Sequence, residues 1–192
     1  MQAQIPDFIS HYYEKTRDPL KSVSELDREK AREIIRQITE RKEGFSSNRP
    51  PQYIDWRIDV ENWLREGFIK KGGRPKRNNP HYFILGECEW MLGWYKNGNV
   101  LQKKLAEINP GQISITYPDS MVSYQLYQYH ILQNNPYFKQ EEHRPYHGQI
   151  FLLNELEELV SKYGLPKALL QDGKPISPFE MYIEIQVWEE IT

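Results

Sequence analysis

Glu184 lies in the segment Met181-Tyr182-Ile183-Glu184-Ile185-Gln186-Val187-Trp188, whose alternation is that of a strand. Met181, Ile183, Ile185 and Val187 then share one face, and Tyr182, Glu184, Gln186 and Trp188 the other. A carboxylate between aromatic rings is partly desolvated, which raises its proton affinity and strengthens its field on a bound group. Two accounts stay open. Glu184 supports a substrate on a cleft floor, with Gln186 beside it, or the outer face of the strand is simply polar and covered by a loop. His11, in His11-Tyr12-Tyr13, is a second candidate, because an imidazole orients ligands and exchanges protons near neutral pH. Its plainer account is a structural ring bonded to a backbone carbonyl. Tyr12 takes the opposite face of that strand. The run Thr116-Tyr117-Pro118-Asp119-Ser120-Met121 sets a phenol, a carboxylate and hydroxyls at a strand end. Such groups occur in active sites and equally in turns, where Asp and Ser bond their own backbone. No base stands beside Ser120, so a nucleophilic serine is not expected.

Lys70-Lys71-Gly72-Gly73-Arg74-Pro75-Lys76-Arg77 gathers five positive charges around two glycines. Glycine lets a backbone approach a phosphate, and the forks of Arg74 and Arg77 suit its oxygens. The Gly-Lys-Ser/Thr ending of a P-loop is missing. The alternative is a solvated basic loop answering the dipole of a preceding helix. Metal is not expected. Glu141, Glu142, His143 and His147 have a suggestive spacing, but Arg144-Pro145-Tyr146 keeps the two imidazoles off a common helix face, and Glu87 and Glu89 lack histidine company.

These residues need elements to position them. A strand is predicted over Ile9–Tyr13. A helix opens at Ser24 with Asp27 as its capping-box partner, buries Leu26, Ala31, Ile34, Ile35 and Ile38, and stops near Gly44. A second helix starts at Pro50-Pro51, with Tyr53, Trp56, Val60, Trp63, Leu64 and Phe68 as its stripe, and stops at Gly72-Gly73. Strands follow at His81–Leu85, Val100–Leu105 and Ile113–Tyr117, the last two joined by the turn Asn109-Pro110-Gly111. Residues 118–149 read as a long loop with one helical turn. A strand at Ile150–Leu153 precedes a helix capped by Asn154 that ends at Gly164. The sum is one α+β domain over 1–192: a mostly antiparallel sheet of five or six strands with about three packed helices. Its N-terminal part, about 24–72, is helical, and 80–192 is rich in sheet.

The chain has 192 residues, 39% hydrophobic, 27% charged and 13% aromatic, and is long enough to hold a core without staples. Cys88 is the only cysteine, which excludes an intramolecular disulfide and a multi-cysteine zinc site. No apolar run exceeds four residues where a membrane span needs about 20, and the first residues resemble no export signal. A cytoplasmic protein with no membrane partner is expected. The net charge of -2 argues against general coating of DNA. Residues 1–80, however, carry 17 basic and 13 acidic side chains against 8 and 14 in 81–192, so local steering by the positive half stays open.

Two resemblances add to this reading. On Ser10-His11-Tyr12-Tyr13, Thr116 to Met121 and Tyr182 to Trp188, the chain resembles a widespread bacterial family with no assigned activity. In its order of parts it is similar to the ADP-ribosyltransferase fold. That fold opens with a strand bearing His or Arg, follows it with a helix, and places a catalytic Glu on a late strand. The likeness implies NAD as cofactor and His11 and Glu184 as catalytic residues. The middle aromatic is Tyr117 or Tyr82, and the glutamate would stabilise an oxocarbenium-like transition state as nicotinamide leaves. Tyr12, Gln186, Asp119, Ser120 and the loop arginines Arg74 and Arg77 would then contact the ligand. The chain departs from the family in lacking a Ser-Thr-Ser after the middle strand, and its Glu-Ile-Gln is not the usual pair. Two other expectations stand beside this one: nucleic-acid binding through the 70–77 loop with stacking aromatics, and a protein partner on the Tyr-rich segment and aromatic helices.

Overall fold

The computed structural model describes residues 4–132, 144–166 and 180–191. Six strands form one sheet: β1 (Phe8–Glu14), β2 (His81–Leu85), β3 (Gly98–Lys104), β4 (Ile113–Thr116), β5 (Phe151–Leu152) and β6 (Glu184–Val187). Their order is β3-β1-β2-β6-β4-β5, antiparallel throughout. Four α-helices accompany them among the described residues: α1 (Arg28–Arg41), α2 (Tyr53–Lys70), α3 (Ser120–Leu132) and α4 (Leu156–Tyr163). The fold is α+β. None of these helices is long and apolar enough to cross a membrane.

Register decides which side chains meet. Glu184 on β6 stands opposite Thr116 on β4 and Ile84 on β2, and Ile84 stands opposite Ser10 on β1. The next row holds Tyr82, Gln186, Ser114 and Leu152. Because side chains alternate across a strand, these two rows define one face of the sheet. Phe83, Ile185, Ile115 and Phe151 form a row of the other. That second face is apolar. Ile9, Ile113, Ile183 and Val187 extend it, and α4 covers it with Leu156, Leu159 and Val160. On the first face, Val60, Leu64 and Phe68 of α2 pack on Trp188 and Ile150, with Tyr82, Met121 and Tyr124 alongside. Burying an aliphatic or phenyl side chain of this size contributes about 1.5–3 kcal/mol. Three of them on one helix are enough to clamp α2 over the sheet.

Several boundaries differ from those predicted. Asp27 itself caps α1, its Oδ1 accepting from the Lys30 N–H at 2.9 Å, while Ser24 sits in a short 3₁₀ turn and donates to Glu61. Leu26 therefore falls outside the helix and is exposed. Trp56 is 43% exposed and lies off the buried stripe of α2. That helix ends as expected: Gly72 takes φ +95° and the Gly73 N–H donates to the Phe68 carbonyl. A Cβ on Gly73 would stand 2.3 Å from the Phe68 ring, so this glycine also makes room for packing. The turn at Asn109-Pro110-Gly111 forms, but it does not close a hairpin, because β3 edges the sheet beside β1 while β4 lies beyond β6. The segment predicted as a loop after Tyr117 contains α3. Asn154 does not cap α4: it lies inside a short 3₁₀ turn over Leu153–Glu155, in which Glu155 accepts from the Leu152 N–H at 2.6 Å, and α4 follows at Leu156.

Candidate functional site

Glu184 heads β6 and is buried, 6% exposed. The Gln186 amide donates to its Oε1 at 3.0 Å, and so does the Ser120 backbone N–H at 3.3 Å. Gln186 is held in turn: its Nε2 also donates to Thr116 Oγ1 at 3.0 Å, and its Oε1 accepts from Ser114 Oγ at 2.8 Å. Trp188 Nε1 donates to the same Ser114 hydroxyl at 2.8 Å. A ladder of hydrogen bonds therefore runs from the indole through β4 to the carboxylate. All of its members are buried, where polar groups must be paired to avoid a desolvation cost. The ladder fixes Glu184 in one orientation.

Asp119 is the second carboxylate. It ends the β4 connection and caps α3: its Oδ1 accepts from the Val122 N–H at 3.0 Å, and its carbonyl accepts from the Ser123 N–H at 2.9 Å. Capping explains why a helix begins here. Burial, and after it the charge of Glu184, push the Asp119 carboxyl up to about 7, against the pull of its backbone N–H partners and Arg57. Two carboxylates in one site cannot both ionise cheaply, and the charge of Glu184 adds to burial in favouring the protonated form of Asp119. The fully buried Ser120, next in sequence to Asp119, has an Oγ with no hydrogen-bond partner among the described residues.

The third wall belongs to α2, on which Tyr53, Arg57 and Glu61 follow at intervals of four and so align on one face. The Arg57 guanidinium stacks 4.3 Å from the Tyr82 ring centroid and donates through Nε and Nη2 to the Tyr53 phenol at 3.3 and 3.1 Å. Glu61 is buried and accepts from Asn79 at 2.6 Å, Ser24 at 2.8 Å and Tyr82 at 3.1 Å, so three neutral donors satisfy it. Arg57 stays protonated far above neutral pH. Burial opposes this, but Tyr53, Tyr82, Glu184 and Glu61 outweigh it. The Tyr182 and Tyr82 phenols are held neutral, first by burial, with the nearby carboxylates adding to it.

The expected site residues divide between the two faces. Glu184, Gln186, Asp119, Ser120 and Tyr82 meet on the polar face. His11 does not join them, which corrects the catalytic role expected of it. It lies on the apolar face against Phe83, its Nδ1 2.7 Å from the Tyr82 carbonyl and its Nε2 accepting from the Leu20 N–H at 3.2 Å. Burial lowers its proton affinity. It is a structural ring. Tyr117 is corrected likewise: it is packed in the apolar core with Tyr146, their centroids 4.4 Å apart. Tyr12 shares the polar face, but its hydroxyl accepts from the Cys88 N–H at 2.9 Å within a separate apolar cluster. The basic loop sits at the far end of β6, where the Lys76 and Arg77 N–H groups donate to the Trp188 carbonyl. Carboxylates already answer it: Lys71 pairs with Glu155, Lys76 with Glu189, and Arg77 with Glu25 and Glu190. Arg74 is exposed on that loop, with its backbone bonded to Gly111 and Gln112. Among the described residues no cluster of three metal-ligating side chains occurs, and Glu141, Glu142 and His143 lie outside them. Glu87 and Glu89 are exposed on either side of buried Cys88.

Sequence reasoning passed over Arg57, Tyr53, Glu61 and Arg49. The available signal was the polar line 53-57-61 running beside the apolar line 60-64-68 of one helix. A hollow of about 470 Å³ lies away from the carboxylates, lined by Phe45, Trp90 and Trp94 with Lys42 and Asn48. No protein-family model, no curated protein and no solved structure matches the chain.

Proposed function

We propose that the chain is a glycosyl-transferring or glycoside-cleaving enzyme whose centre is the pair Asp119 and Glu184. The observation that carries this reading is the division of labour within the pair: one carboxyl holds its proton to about pH 7, while the other is fixed in place by Gln186 and the Ser120 N–H. Chemistry at an anomeric carbon asks for such a pair, an acid for the leaving group and an anion for the positive charge that develops on the sugar. Asp119 delivers its proton to the leaving oxygen or nitrogen as the bond to the anomeric carbon breaks, and the bonding electrons leave with that atom. Glu184 faces the oxocarbenium-like carbon. An acceptor, water or an alcohol, then adds to that carbon and returns its proton to Asp119. Tyr82 and Tyr182 supply the aromatic walls that sugar rings and bases stack on.

NAD is a glycoside too, but its nicotinamide already carries the positive charge and leaves neutral without taking a proton; ADP-ribosyl transfer would use Glu184 at the oxocarbenium-like carbon and ask of Asp119 only that it receive the acceptor's proton. It would have to run here without His11 and Tyr117, which lie across the sheet. The reading keeps the glutamate of that resemblance and replaces its histidine with Asp119 and Arg57.

The test is a panel of chromogenic glycosides and labelled NAD, assayed for release of the leaving group, with Glu184→Gln and Asp119→Asn alongside. Loss of an anionic or acid–base group in such a centre typically lowers kcat by about 10²–10⁴-fold. With the glycosides, whose leaving group takes a proton, Asp119 must be protonated, so the rate should fall as pH rises through about 7. Turnover indifferent to both substitutions would refute the assignment.

A further inference from the structure

Two guanidiniums beside the carboxylates make no salt bridge. Among the described residues, no carboxylate oxygen lies within 4 Å of Arg49 or Arg57. Each is only part-exposed, and each keeps a buried N–H with no acceptor: Nε of Arg49 and Nη1 of Arg57. The two converge on one ring, Arg49 at 4.5 Å and Arg57 at 5.7 Å from the Tyr53 centroid. The Tyr95 phenol feels the charge of Arg49, and Arg57 donates to the Tyr53 phenol. Stacking on Tyr53 places the Arg49 fork, and stacking on Tyr82 with hydrogen bonds to Tyr53 places that of Arg57. The acids nearby favour the charge of Arg57 from a distance but pair with neither guanidinium. Glu61 is taken by Ser24, Asn79 and Tyr82, Glu184 by Gln186 and Ser120, and Asp119 carries a proton near neutral pH. A partly buried cation without an anion, and a buried N–H without an acceptor, are each unfavourable and rare in folded proteins. An oxyanion removes both defects at once, and guanidinium is the group whose geometry suits it best.

We infer that Arg49 and Arg57 form an oxyanion subsite beside the carboxylate pair, so that the substrate is an anionic glycoside bearing a phosphate or a carboxylate group. The inference rests on the proposed function only for what the oxyanion is attached to; the subsite itself stands on the unanswered guanidiniums. Arg57 links the two centres, because its charge is felt by Asp119 and Glu184 on one side and by Tyr53 on the other. A phosphate held there sets the anomeric carbon over the carboxylates by a contact remote from the bond that breaks.

Calorimetric titration of the full chain with inorganic phosphate, ribose 5-phosphate, glucuronate and ribose tests this without any turnover. Saturable binding of phosphate and ribose 5-phosphate is expected, with ribose much weaker. Binding should fall about tenfold or more in Arg57→Gln and in Arg49→Gln, and hold or tighten in Glu184→Gln, which removes a neighbouring negative charge. Circular dichroism checks each fold; if Arg57→Gln does not fold, Arg49→Gln decides. Binding of glucuronate but not phosphate keeps the subsite and assigns it to a carboxylate. Absence of saturable binding of either anion, or binding unchanged in the folded arginine variants, overturns the inference. Phosphate binding that survives alongside a failed glycoside panel would leave the subsite standing and remove only the glycosyl chemistry.

Discussion

Asp119 ionises against burial and against the charge of Glu184, and its folded state therefore holds a proton more tightly than its unfolded state does. For a carboxyl whose proton affinity is raised by folding, stability is fully present below the unfolded value near 4 and is lost as pH rises to about 7. Asp119→Asn removes that loss while keeping an N-cap, since asparagine caps as well as aspartate. The variant should match its parent near pH 4 and exceed it by on the order of 2 kcal/mol at pH 8, a figure reduced for the group's access to solvent. Urea unfolding at the two pH values measures it, and an advantage that does not grow with pH would count against the carboxylate coupling. Stability gained by deleting a charged group, with activity lost, is the usual mark of a site kept for function. Much of this site was legible residue by residue. Glu184 and Gln186 stood out because an acid and an amide interrupt an apolar strand, and Asp119 and Ser120 because they close another. His11 and Tyr117 misled for a definite reason. Alternation assigns faces within a strand, but only register relates two strands, and the register here puts Ser10 rather than His11 in the row of Glu184.

The pairing of β4 with β6 is the element that turns a sheet into a site. Ser114 stands opposite Gln186 and bonds both its amide and the Trp188 indole at 2.8 Å. Ser114→Ala would leave two buried polar groups without partners and free the amide that orients Glu184. The expected cost is about 2–3 kcal/mol in thermal or denaturant unfolding. Because Gln186 then loses its anchor, kcat should drop more than KM rises; an unaltered kcat would mean the ladder serves packing alone. Elements with a strong period were readable: α2 between its prolines and its paired glycines, β2, and β6. The helix α3 was not. Ser120–Leu132 is rich in Tyr and Gln with no one-sided apolar stripe, so neither propensity nor period marks it. It forms because Asp119 caps it and because Met121 and Tyr124 pack against α2 and the sheet, which are tertiary causes. The polar line of α2 escaped notice for a related reason: its value lies in the tyrosine and carboxylates it faces, and these come from β2, β6 and α3.

At the scale of the whole molecule, the basic loop after α2 acts as a fastening between distant parts of the chain. Arg77, whose side chain is 15% exposed, reaches Glu25 in the turn before α1 and Glu190 after β6, and its Nε donates to the Asn79 carbonyl at 3.1 Å. Lys76 pairs with Glu189, which also accepts from the Asn109 N–H at 3.0 Å, and Lys71 pairs with Glu155 ahead of α4. The positive N-terminal half and the negative C-terminal half of the sequence are thus drawn together in part by this segment. The two accounts of the loop then predict different phenotypes. If it grips nucleic acid, changing Arg74, Lys76 and Arg77 together to alanine weakens a salt-sensitive affinity and leaves the fold alone. If it fastens the fold, Arg77→Ala by itself destabilises by on the order of 2 kcal/mol, since a mostly buried cation holding several partners is worth more than an exposed pair. Arg74→Ala, on an exposed side chain, then changes little. Thermal melts of the two single variants, with filter binding of a short DNA at low salt, separate the accounts. We expect the loss to follow Arg77 and the melting temperature; an intact melt with lost DNA retention would return the loop to nucleic acid.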